Sequence, residues 1–144
     1  MLQTSADGLL ALIEDMNEEE LRARPHGLAP VLWQIGHVAV IDARLARQAG
    51  QPLDVPEGWE PLFAMGASGE GHLPAREAVV GLLREANDGL VRLSRGDLAR
   101  PIERSPGGTE SLGYELAFRL FHRGYHAGKI MTLRALLGKP RLLG

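Results

Sequence analysis

The chain contains no cysteine. This excludes a disulfide framework, a thiolate metal site and a cysteine nucleophile, and it leaves His, Asp and Glu as the metal ligands available. Lysine is scarce, with 14 arginines against 2 lysines, Lys129 and Lys139. The arginines are scattered, which reads as genome composition and not as a binding surface. The formal net charge is −2. A nucleic-acid binder normally carries a basic excess, so no nucleic-acid partner is expected. No apolar run reaches the roughly 18 residues of a transmembrane helix, so no membrane span is expected. The stretch MLQTSADGLLALIEDM has no basic lead and meets an acidic run at Asp15 to Glu20, unlike a signal peptide. The expectation is a cytoplasmic protein. What is present, 44% hydrophobic and 24% charged residues over 144 positions, suits a single globular domain spanning 1–144.

Four helical segments are expected, and no strand. The first covers about Leu2 to Met16, and Asn17 then caps a short turn over Glu18 to Arg22 whose acids suit the positive end of a helix dipole. Pro25, Gly27 and Pro30 break the pattern. The second runs from Val31 to about Ala49, with Val31, Ile35, Val38, Leu45 and Ala49 on one stripe. The third runs from Pro74 to about Arg95. The fourth starts after Thr109, an expected N-cap, and ends at Leu137 before Gly138 and Pro140. Between the second and third lies a long segment, Gly50 to Leu73, rich in proline and glycine. It is long enough to return along a bundle, so those two helices can run parallel. An all-α four-helix bundle with one long crossover fits.

Five histidines are present, and the informative pair is His122 and His126 in FHRGYHAGKI. Four-residue spacing puts both rings on one helix face, about 5–6 Å apart at Cβ, close enough to share one metal ion. Gly124 and Gly128 flank them, and their helix cost of about 1 kcal/mol each suggests a close approach by another helix or a ligand. The glutamate of the H-E-x-x-H zinc-protease signature is absent, since Arg123 follows His122. His37, in WQIGHVAV on the second helix, is the best third ligand. Three neutral imidazoles leave open positions on a first-row divalent ion such as zinc or nickel. The competing reading is a set of solvated or satisfied core histidines. His26 and His72 fall in loops and read as surface histidines.

The segments WQIGHVAVIDARLARQAG and FHRGYHAGKIMTLRALLGKP together resemble the DinB-like (damage-inducible, YfiT-type) superfamily. Its pattern is one histidine on helix two and an H-x-x-x-H on helix four, followed by an R-x-x-x-G-x-P-like tail. Here these are His37, His122 and His126, then Arg134, Gly138 and Pro140. The long linker and the acidic stretch before Pro25 match as well. The resemblance implies an up-down-down-up four-helix bundle, a divalent metal (nickel or zinc) on the three histidines, and a homodimer. It also implies thiol-dependent enzymes among the relatives: S-transferases using bacillithiol, mycothiol or glutathione, and maleylpyruvate isomerases. Arg123 and Lys129 depart from the family, which often has an acid after the first histidine of the pair and glutamine at the second position.

Glu115 and Arg119 lie seven and three residues before His122 on the same face. Both are candidates for catalytic work, with an i,i+4 salt bridge as the plainer reading. Asp42 interrupts an apolar stripe and needs a partner: an arginine, a ligand histidine or a dimer mate. Trp33 and Tyr125 can line a pocket, though aromatics at helical spacing usually pack in the core. The expected function is thiol S-transfer by a metal-dependent enzyme whose thiol comes from a small co-substrate. Its alternative is a non-catalytic stress-response protein in which the metal is structural.

Overall fold

The structure, a computed structural model, describes residues 1–103, 107–140 and 142. Four long helices carry the fold: α1 (Leu2–Ala11), α3 (Val31–Gln48), α5 (Arg76–Leu93) and α6 (Leu112–Leu136). Two short helices, α2 (Glu18–Arg22) and α4 (Trp59–Leu62), and a 3-10 turn at Pro25–Gly27 lie between them. α3 packs on α5 and α6, and α1 packs on the same two helices. Every residue of α3 from Val31 to Val40 is buried, because the helix meets neighbours on all sides.

The first helix is shorter than its apolar pattern predicts. Leu12, Ile13 and Met16 are buried as expected, but α1 ends at Ala11. Beyond it the chain runs on in turns, with Ile13 N donating to Leu10 O and Met16 N to Ile13 O, and arginines hold the carbonyls there: Arg134 donates to Leu12 O, and Arg76 donates to Ile13 O and Met16 O. Asn17 caps α2 as predicted, in a reciprocal arrangement with Glu20. α5 starts two residues after Pro74.

Two departures concern the segment before α6. A small antiparallel hairpin, β1 (Pro101–Glu103) and β2 (Thr109–Ser111), stands where no strand is expected. Thr109 is therefore a strand residue opposite Glu103, and the helix cap is Ser111, whose Oγ accepts from Tyr114 N at 3.1 Å. The hairpin feeds the helix start. Leu112 N donates to Arg100 O and Gly113 N to Leu98 O, which satisfies amides that a helix leaves free.

The long linker is not a bare spacer. It sends Leu53, Trp59, Phe63 and Leu73 into the core, and α4 holds the two aromatic rings edge to face at 5.5 Å. Phe63 lies against Gly36 of α3, where an added Cβ would overlap its ring. Trp33 Nε1 donates to Leu62 O at 3.0 Å, tying α4 to the same helix.

Candidate metal centre

α3 and α6 bring His37, His122 and His126 together, with ligand atoms all within 4.8 Å of one another. The helical spacing of the pair gives ring centroids 4.5 Å apart, and His37 meets them from the facing helix at 5.1 and 4.8 Å. The three Nε2 atoms converge: His122 Nε2 is 3.2 Å from that of His37 and 3.1 Å from that of His126.

Two of the rings are fixed from behind. His37 Nδ1 lies 2.6 Å from the Phe63 carbonyl, which can only accept, so the proton sits on Nδ1 and Nε2 carries a lone pair. His126 Nδ1 lies 2.7 Å from Gln34 Oε1. The Gln34 amide is oriented by its own donation to Ala29 O at 3.2 Å, so its oxygen must face His126. The Nε2 of His126 is therefore a lone pair too. His122 is different: its Nδ1 is buried and has no hydrogen-bond partner among the described residues. Two lone pairs aimed at a third imidazole nitrogen repel unless a proton or a cation lies between them. The donor set therefore fits a divalent ion of the nitrogen-preferring kind.

Burial keeps all three rings neutral. His37 is held below the ordinary imidazole value, chiefly by desolvation, with Lys129, Arg44 and Arg119 adding to the effect. Burial first, with the neighbouring imidazoles adding to it, lowers His122 to about 4 and His126 to about 3. Neutral imidazole is the form that binds a metal.

The other candidates divide. Glu115 Oε2 and Arg119 Nη2 form an i,i+4 ion pair at 2.9 Å, the plainer of the two readings. Trp33 stacks on His37 with centroids 5.0 Å apart, so it is a wall of the site. Tyr125 meets His126 edge on at 5.2 Å but is 53% exposed, not core. His26 and His72 are exposed, as expected of loop residues. Among the described residues nothing lies within 4 Å of a Cβ added at Gly124 or Gly128, so no described element approaches them.

Asp42 finds its partner in Arg123. The Arg123 Nε donates to Asp42 Oδ2 at 2.8 Å, and both side chains are fully buried. Arg123 Nη1 reaches Leu2 O, Ser5 Oγ and Asn87 Oδ1, so one guanidinium joins α1, α3, α5 and α6 directly behind His122. Burial pushes the Asp42 carboxyl up, and Arg123 opposes it. Arg123, a departure at the sequence level, is a structural hub. Sequence reasoning missed Gln34 and Phe63. Gln34 stands three residues before His37, but only the α3–α6 contact gives it a role, and a backbone carbonyl leaves no trace in sequence.

No curated protein matches the sequence. Among solved structures the chain is similar to YfiT from Bacillus subtilis, described as a probable metal-dependent hydrolase with an unusual four-helix bundle topology. The TM-score is 0.71 at 16% identity, over 96% of this chain and 85% of that one. A family model of the DinB superfamily matches residues 1–130, a span that includes all three clustered histidines. The chain belongs to the DinB superfamily.

Proposed function

We propose that His37, His122 and His126 hold a divalent ion, nickel or zinc, and that the protein is a metal-dependent thiol S-transferase. The observation that carries this reading is the convergence of the three Nε2 atoms, two of them held as lone pairs by Phe63 O and Gln34 Oε1. Bound there, the ion would supply Lewis acidity, lowering the pKa of a thiol or a water brought to it. The chain has no cysteine, so the thiol belongs to a co-substrate such as bacillithiol, mycothiol or glutathione. The residues themselves orient and exclude. Gln34 and Phe63 fix two rings, Trp33 covers His37, and Phe118 stacks on His122 at 6.4 Å. Glu115 and Arg119 are kept as weaker catalytic candidates, three to seven residues from His122 on its helix.

The helix directions fit an up-down-down-up order. Arg76 bonds to the end of α1 while Asn87 bonds to Gln3 near its start, which sets α1 against α5. Arg123 bonds to Leu2 and Arg134 to Leu12, which sets α1 alongside α6. A homodimer is supported by an uncovered aromatic stripe on α6, where Phe118, Phe121 and Tyr125 are 37%, 69% and 53% exposed beside Gly124. Among the described residues no helix is long and apolar enough to cross a membrane. A cytoplasmic site of action agrees with that.

Elemental analysis of the untagged protein, beside His122→Ala and His126→Ala variants, tests the metal. About one ion per chain is expected in the parent and little in either variant; equal, negligible loading in all three removes the site. Conjugation of an electrophile by the loaded protein with each of the three thiols tests the reaction, and no turnover with any removes the transferase. Hydrolysis is the second reading, favoured by the likeness to a probable metal-dependent hydrolase. Ester cleavage without thiol would select it. Chelation that lowers the melting temperature in a protein with neither activity would select the structural, stress-response alternative.

A further inference from the structure

Beside the histidines, between α3, α6 and the linker, lies a cavity of about 310 Å³. Ala29, Trp33, Ala67 and Leu133 supply apolar wall. It adjoins the metal-binding cluster through two residues: Trp33, stacked on His37, and Gln34, bonded to His126. The volume is that of a small-molecule site. The wider groove of about 480 Å³ between α1 and α5 carries Asp7, Glu14, Arg76 and Glu77 and shares no residue with the cluster.

The polar atoms of the cavity are few. Both ends of the Gln34 amide are already engaged, by Ala29 O and by His126. Thr132 Oγ donates to Gly128 O. Lys129 is the one charged residue lining the cavity, and among the described residues it has no acidic partner; its ammonium rests 4.7 Å from the centroid of the exposed Tyr125 ring. A lysine stem of four carbons lets the ammonium leave that contact for a ligand at the rim. The charges around the cluster have the same sign. Arg44, seven residues after His37 on α3, makes no ion pair with a described residue, and the carboxylate nearest His122 on its helix, Glu115, is bonded to Arg119.

We propose that this cavity binds a small organic carboxylate, its apolar body against Trp33 and Leu133 and its carboxylate on the Lys129 ammonium. The inference does not rest on the metal reading, since no candidate ligand lines the cavity. None of the three histidines lines the cavity, which meets His37 through Trp33 and the Nδ1 side of His126 through Gln34; the charged head of the ligand stays at the rim, where water completes its hydration.

Calorimetric titration of 4-phenylbutanoate and of its uncharged primary amide tests this, with chelator-stripped and zinc-reloaded protein. The carboxylate is expected to bind about tenfold more tightly than the amide, the scale of one charge-assisted hydrogen bond. Lys129→Met is expected to erase that difference and Lys129→Arg to keep most of it. Ala67→Leu, which fills the cavity, should weaken both ligands. Circular dichroism of each variant shows that it is folded. Equal affinity of carboxylate and amide overturns the proposal, as does a preference that survives Lys129→Met. Carboxylate binding that needs zinc and ignores Lys129 overturns it while the metal reading stands. Lys129-dependent binding in a protein that takes up no zinc supports it while the metal reading falls.

Discussion

Gln34 and His126 form a pair in which an uncharged amide decides what an imidazole can do. The Gln34 oxygen takes the Nδ1 proton and leaves Nε2 free, and nothing else within the described residues performs that service for His126. Groups that orient a ligand from behind typically contribute 10- to 100-fold to metal affinity. Gln34→Leu keeps the bulk and removes the acceptor, so zinc affinity measured against a chelating dye should fall about 10- to 100-fold with helical content unchanged. At this scale the legible signal was local. The four-residue spacing of His122 and His126 says that both rings share a face, whatever surrounds them. His37 was legible as the best third ligand from its place on the second helix, and the family resemblance added to that. Gln34 and the Phe63 carbonyl were not legible, because their roles exist only once α3 meets α6 and the linker folds back. Arg123 shows the same limit, since in the sequence it is only a departure from the family pattern and its contacts place it in the core.

Among elements, the glycines of α3 and α6 behave in opposite ways. Gly36 sits where the Phe63 ring presses on the helix, so Gly36→Ala drives that ring and α4 outward. A loss of about 1–3 kcal/mol by urea unfolding is expected, the usual range for overpacking. Gly124 faces open space among the described residues, so Gly124→Ala should stabilise by up to about 1 kcal/mol through helix propensity alone. A loss there would mean that a second copy covers the site. The helices were legible because ten or more residues repeat one period. The hairpin was not: three residues per strand show no alternation, and Ile102 is the only buried side chain in either strand. The cap shifted from Thr109 to Ser111 for the same reason, since strand pairing claimed Thr109.

The whole molecule depends on charges placed in its interior. Removing one partner of a buried pair strands the other, so Arg123→Met should cost about 3–5 kcal/mol, and adding Asp42→Leu should recover much of it. Denaturant midpoints of the two variants check this. The histidines set the response to acid of metal-free protein. An unfolded imidazole takes up its proton near pH 6.5, whereas folded His122 and His126 do so at about 4 and 3. Over that interval the unfolded chain binds protons that the folded one refuses. Stability is therefore full above about pH 6.5 and is lost as the pH falls toward 4 and then 3. The carboxyls of Asp15, held down by Arg134, and Glu20, held down by the Asn17 amide and Lys139, act in the same direction at the acid end. Thermal midpoints of chelator-treated protein from pH 8 to pH 4 should decline below about 6.5; a flat profile would mean that the folded rings take up protons as readily as the unfolded ones.

The Arg123–Asp42 bond spans 81 residues, and the Arg123–Leu2 bond spans 121. During synthesis, at 5–20 residues per second, Asp42 precedes its counter-charge by roughly 4–16 seconds. Throughout that wait the nascent helices cannot close around a naked carboxylate, and the ring of His37 has neither companion. The ribosome therefore has to deliver the chain through Arg123 before this interior can seal, and any chaperone that attends this protein meets it while α3 is still wet.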